Sequence, residues 1–161
     1  HVVANLSAGL IFGALLIPAL GQGMAWFLVL TSGFLGNALT AWAYFPEDHR
    51  SLGASTAVFG ALGLLVGDSL GRILQRRAGR SWWVWVLPLG AGVGLLAFLG
   101  AGEGKANVDV LAHLWGFAVG LPLALGMAFV RPNQRGAVLQ WGCGFGTFGI
   151  VSLAWVLACR R

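Results

Sequence analysis

Gly53-Ala54-Ser55-Thr56-Ala57-Val58-Phe59-Gly60 is the stretch on which the reading of this chain turns. It sets one serine among small residues near the head of an apolar run that continues through Gly63, Gly67 and Gly71. A four-residue spacing keeps those glycines on one face of a helix. Such a face lets a neighbouring backbone come close, as helices do when they pack inside a membrane. The stretch therefore predicts a closely packed helix with a hydroxyl near its N-terminal end.

Outward from it the chain reads as six apolar runs, at about 1–20, 24–45, 51–71, 82–101, 109–130 and 136–159. Each approaches the ~20 residues that a bilayer-spanning helix needs. The 161 residues are 58% hydrophobic and 9% charged, against roughly 25% charged in a soluble domain. Mean hydropathy is +0.81. A soluble globule of this size could not hide so much apolar surface. The expected fold is all-α, a polytopic transmembrane helical bundle in a single domain over 1–161, because a barrel would need shorter alternating segments. The net charge of +5 does not indicate nucleic acid as a partner. The basic residues sit in short loops between apolar runs, where the positive-inside rule places them. Cys143 and Cys159 are 16 residues apart on one run, roughly 24 Å along a helix, too far to bridge each other. No Cys/His spacing suggests zinc, and no metal or organic cofactor is implied. The first run has neither the basic n-region nor the cleavage site of a signal peptide, and we expect at least one more helix before His1.

Runs one, three and five share a direction. Their C-terminal ends lead into loops carrying Arg72, Arg76, Arg77, Arg80, Arg131 and Arg135, while the opposite side carries Arg50, Lys105, Arg160 and Arg161. Six against four favours the first side as cytoplasmic. His1 and Asn5 open the first run, Ser55 lies about one turn into the third, and His113 about one turn into the fifth. All four belong at one depth on the non-cytoplasmic side. Polar groups at membrane depth are costly and mark functional sites. A serine hydroxyl becomes a nucleophile when an imidazole accepts its proton, so Ser55 and His113 can form a catalytic pair. Close packing through Gly60, Gly63, Gly67 and Gly71 on one helix and Gly116 and Gly120 on the other would bring them together. His1 and Asn5, four apart on one face, could form an oxyanion hole with the Ser55 amide; they could equally be interfacial residues at a helix end. Phe59, one turn below Ser55, could stack on His113 and hold the imidazole without an aspartate.

His-x-x-x-Asn at 1–5, Gly-x-Ser at 53–55 and Ala-His-x-x-Gly-x-x-x-Gly at 112–120 follow in order on alternate runs. Together they resemble the rhomboid family of intramembrane serine proteases, over essentially the whole chain. The resemblance implies a Ser-His dyad, with Ser55 as nucleophile and His113 as general base. It implies oxyanion binding by His1, Asn5 and the Ser55 amide, Phe59 packed on the histidine, and Gly53, Gly116 and Gly120 at close helix contacts. Substrates would be transmembrane proteins cut in or near their membrane span, with access gated by about 82–108. Two departures stand out. Thr56 replaces the glycine that usually follows the serine, and as a β-branched residue it is expected to narrow the site or alter the oxyanion geometry. The family's first helix and the large loop after it have no counterpart here, and the run at 136–159 implies seven helices in the full chain.

Other polar residues have plainer readings. Asp109 could orient His113 but suits a helix N-cap, with Asn107 nearby. Asp68 belongs with Arg72 at the far end of its helix, Asn37 with interhelical contacts, and His49 with a solvated loop. Trp82, Trp83 and Trp85 form an interface belt or contribute to a substrate gate. Two rivals stand beside the protease, and a third reading is excluded. An inactive relative that binds transmembrane clients is favoured by Thr56 alone. A transporter would show inverted repeats and broken helices, and the sequence has none. A soluble hydrolase with a nucleophile elbow needs a strand before the serine, which the six apolar spans exclude. Usage rich in Gly, Ala, Leu and Arg points to a bacterial plasma membrane.

Overall fold

The computed structural model describes residues 2–47, 54–76, 81–100, 109–130 and 136–160. The described residues form six helices: α1 (Val2–Leu20), α2 (Gln22–Tyr44), α3 (Ser55–Gln75), α4 (Trp83–Gly100), α5 (Val110–Ala128) and α6 (Ala137–Cys159). Among the described residues there is no strand. Five helices are long and apolar enough to cross a membrane, and α4 is apolar but shorter.

The helix ends differ from the sequence reading in instructive ways. Helix α3 starts at Ser55, so the serine stands in its first turn, not a turn inside; the Ala54 carbonyl accepts the first helical bond from the Val58 amide at 3.1 Å. At its other end α3 runs on past Gly71 to Gln75. Arg72 pairs with Asp68 one turn back, and the Gln75 side chain donates to the Ala128 carbonyl on α5, so the charge does not end the helix. The break between α1 and α2 shrinks to Gly21 alone, whose φ of 82° is one that a side chain would resist.

α3 is the central helix. Of its spanning window 67% is buried, against 11% for α1 and 0% for α6. Leu16 and Leu20 of α1, Met24, Ala25 and Leu28 of α2, Ala61 and Leu64 of α3, and Ala124 of α5 form one core cluster. Phe59, Leu62, Val66 and Leu70 of α3 with Phe117 of α5 form a second, against which Trp85 and Leu96 of α4 pack. The outward faces of α1, α4 and α6 carry exposed Leu6, Leu10, Phe98, Phe148 and Trp155. That is the distribution of a bundle whose solvent is hydrocarbon.

Glycine sets the register of α3 on α5. A Cβ at Gly63 would overlap the Phe117 carbonyl, one at Gly67 the Leu121 carbonyl, and one at Gly120 the Gly60 carbonyl. Contacts climb both helices together, from Thr56 against Gly116 to Gly71 against Ala128, so α3 and α5 run parallel. α2 runs the other way, with Gly33 against Ala57, Ser32 against Gly60 and Gly36 against Thr56. The N-terminal ends of α1, α3 and α5 therefore share one end of the bundle.

This packing makes a paired prediction. Gly67→Ala places a methyl against backbone that cannot move aside, and thermal unfolding in detergent should show a loss of about 1–3 kcal/mol. Gly94→Ala, where nothing lies within 4 Å, should be neutral or stabilise by up to ~1 kcal/mol through helix propensity. Equal effects at the two positions would contradict the assigned contact.

Candidate active site

Ser55 and His113 stand in the first turns of parallel helices, on α3 and α5. Both are buried, at 8% and 4% exposure. The glycine register fixes their level: Thr56, next to Ser55, packs its backbone on Gly116, one turn beyond His113. The Phe59 ring, one turn along α3 from Ser55, lies over the His113 imidazole with centroids 4.4 Å apart and planes tilted by 35°. This distance is within the range of ring packing, and Phe59 is itself buried at 4% exposure. An imidazole clamped in this way has its ring plane set by an apolar neighbour.

The two helix starts are built differently. On α5, Asp109 is the N-cap and its carboxylate accepts the Ala112 amide at 2.9 Å, the arrangement its position suggested. On α3 the N-cap is Ala54, whose side chain makes no capping hydrogen bond. Ala54 itself offers the first-turn amides of α3, that of Ser55 among them, no side-chain acceptor. Such amides, with the positive end of the helix dipole behind them, favour negative charge.

Asn5 lines a groove of about 360 Å³ with Val2, Leu6 and Gly9 of α1 and with Ala54, Ala57 and Val58 at the head of α3. That brings an amide side chain to the segment holding Ser55. His1 and Gly53 lie outside the described residues, as do His49, Asn107 and the 101–108 part of the expected gate. Within the rest of that segment, Trp82 and Trp83 stack at 3.7 Å and are exposed.

Thr56 packs its side chain into a junction between helices. Its side chain is 1% exposed. Its methyl occupies a slot closed by Gly36 of α2 and Gly116 of α5, and its hydroxyl donates to Asn37 Oδ1 at 2.9 Å. The added bulk is taken up by the junction of three helices. Asn37 does serve as an interhelical contact. That its partner would be Thr56 had no signal in the sequence beyond the polar residue between Gly36 and Ala38.

The Rhomboid domain family model matches residues 1–130. The chain is 31% identical over 144 residues to RHOMBOID-like protein 1 of Arabidopsis thaliana, covering 84% of this chain and 34% of that protein. It is 32% identical over 136 residues to RHOMBOID-like protein 7 of the same plant, covering 83% and 40%. To Rhomboid-type serine protease 2 of Emericella nidulans it is 32% identical over 134 residues, covering 83% and 25%. The chain thus spans well under half the length of these relatives. No solved structure matches it.

The Asp109 cap can be separated from a role on the imidazole. Asp109→Asn keeps an acceptor and should leave thermal stability nearly unchanged, whereas Asp109→Ala should cost about 1 kcal/mol. Equal destabilisation by both would show that the charge, and not the cap, matters there.

Proposed function

This chain belongs to the rhomboid family, and we propose that it is an intramembrane serine endopeptidase that cleaves membrane proteins in or near their transmembrane segments. One observation carries the reading: Ser55 and His113 are buried in the first turns of two glycine-locked parallel helices, with the Phe59 ring against the imidazole. The relative named a rhomboid-type serine protease supports the same reaction class.

In this reading His113 takes the proton of the Ser55 hydroxyl as the oxygen attacks the scissile carbonyl. The tetrahedral oxyanion forms at the head of α3, facing the Ser55 amide, with Asn5 and His1 as side-chain donors. His113 then delivers its proton to the leaving amine, and the carbonyl remains on Ser55 as an ester. Water, activated by the same imidazole, releases the acyl group and restores the hydroxyl. Phe59 performs the orienting task that an aspartate has in other serine hydrolases. Substrates reach the pair from the bilayer past α4, a short helix held by few side chains, Trp85 and Leu96 among them. The site opens to the non-cytoplasmic side, on the charge asymmetry of the loops. A bacterial plasma membrane rests on composition alone, since the relatives described are plant and fungal.

The rival is a family member that binds transmembrane clients without cutting them. Its sequence support was Thr56. The seating of that side chain between Gly36 and Gly116 weakens the case, because the bulk lies in the helix junction.

The deciding experiment uses the full-length protein in liposomes, with a fluorophosphonate probe and a transmembrane substrate. Wild type should label and cleave. Ser55→Ala and His113→Ala should each lose at least ~10³-fold in cleavage while remaining folded. Wild type that binds the client yet neither labels nor cleaves would support the inactive rival. A graded series tests the supporting groups. Asn5→Ala should lower kcat by roughly 10²-fold or more, as loss of one oxyanion donor does. Phe59→Leu, which keeps apolar bulk but removes the ring, should lower it by about ten-fold or less. Unchanged kcat in both would remove those two residues from the mechanism.

A further inference from the structure

Hydroxyl groups in membrane helices usually bond to the carbonyl one turn back in their own helix, and so do nothing to hold helices together. Four hydroxyls among the described residues follow that rule, and Ser32 bonds the Val29 carbonyl three residues back. Thr31 donates to the Phe27 carbonyl, Thr40 to Gly36, Ser69 to Leu65 and Thr147 to Cys143. Thr56 does not. It is the second residue of α3, so no helical carbonyl lies four residues before it. Its hydroxyl reaches across to Asn37 Oδ1 on α2 at 2.9 Å.

The surroundings leave this bond little freedom. A Cβ at Gly36 would lie 2.8 Å from the Thr56 methyl and 2.9 Å from the Gly116 Cα, so α2, α3 and α5 meet at this residue with no space between them. Threonine fits because its two branches do different work, the methyl filling the slot and the hydroxyl meeting Asn37. Ser55 precedes Thr56, and His113 lies one turn before Gly116. The N-cap of the first turn of α3, Ala54, has no side-chain bond to fix it. The Thr56 side chain ties that turn to α2 at Asn37 and packs it on α5 at Gly116.

We propose that Asn37 and Thr56 are a positioning pair for the reaction. Their hydrogen bond fixes the head of α3 so that the Ser55 hydroxyl and amide stay in register with His113. The pair touches neither substrate nor reacting atoms and acts through the backbone of the serine. This inference rests on the protease reading and names residues that the dyad and its oxyanion donors do not include.

Thr56→Val keeps the shape and removes the hydroxyl. Asn37→Ala removes the acceptor, Thr56→Ser restores the donor without the methyl, and the fourth protein combines Thr56→Val with Asn37→Ala. Full-length protein in liposomes is assayed for kcat and KM on a transmembrane substrate and for fluorophosphonate labelling rate, with melting temperature measured in parallel. Thr56→Val and Asn37→Ala should each lower kcat and labelling about ten-fold, with KM within two-fold of wild type. The double variant should be no worse than the singles, and Thr56→Ser should recover at least half the activity. Wild-type kcat in a folded Thr56→Val, multiplying losses in the double variant, or a change confined to KM would overturn the proposal. If Thr56→Val fails to fold, Asn37→Ala against wild type decides by the same criteria. Active wild type with unaffected variants removes this inference alone, whereas wild type indistinguishable from Ser55→Ala removes the protease reading and this inference with it.

Discussion

The contact of α3 with α5, backbone against backbone along a glycine stripe, is the constraint on which the rest of this bundle depends. Lipid gives helices no hydrophobic reason to associate, so they are held by close packing and by polar contacts. Here the carbonyls of Phe117 and Leu121 rest where side chains at Gly63 and Gly67 would be, and the Gly60 carbonyl rests on Gly120. A contact of this kind fixes translation and rotation at once, because backbone has no rotamers to exchange. Phe59, on the same helix as Gly60 and Gly63, is thereby brought against the His113 ring. The geometry of the candidate site is thus a consequence of residues that carry no chemistry.

Polar contacts between helices then tie the ends of the bundle. At one end the Gln140 side chain of α6 donates to the Leu20 carbonyl at 2.8 Å and accepts the Met24 amide at 3.1 Å, bracketing the Gly21 turn. At that same end Gln75 joins α3 to the Ala128 carbonyl of α5. At the other end Thr56 joins α3 to Asn37 of α2. Between these ties the interior is packed with glycine, alanine, aliphatic side chains and the rings of Phe59 and Phe117, and Thr31, Ser32, Thr40 and Ser69 bond carbonyls of their own helices. The distribution suits a site at one end that must be held in place while an outer helix such as α4, whose buried contact centres on Gly92 against Val66 and Phe117, stays loosely attached.

Much of this was legible in the sequence, for physical reasons that also mark where legibility stops. Apolar runs of about twenty residues have one solution in lipid, so six helices and their alternating directions follow. The four-residue glycine spacing identified the faces of α3 and α5 that meet, because periodicity reports faces directly. Helix ends were less legible. An apolar count cannot see that Ala54 terminates the helix at Ser55, nor that an Asp68–Arg72 pair carries α3 on to Gln75. Thr56 was the larger surprise. Read locally, it crowds the serine beside it. Its real neighbours, Gly36 and Gly116, come from 20 residues before and 60 after, and a one-dimensional reading had no means of supplying them. Gln140 is a similar case, since nothing near it in sequence points to the turn at Gly21.

The contrast between the two helix starts gives these observations a common cause. Asp109 caps α5 as stability alone would prefer, whereas alanine stands at the same place on α3. Alanine is a poor N-cap, inferior to serine or aspartate by about 0.5–2 kcal/mol. A capping side chain, however, would accept the very amides that an oxyanion needs, and a carboxylate would set negative charge where negative charge must develop. On the protease reading, the head of α3 gives up cap stability to keep those donors available, a trade of the kind that functional sites make. A turn whose N-cap is alanine gains from a tie that does not compete for its amides. A side-chain hydroxyl reaching sideways to Asn37, with its methyl wedged between two glycines, holds the turn without occupying a single backbone donor.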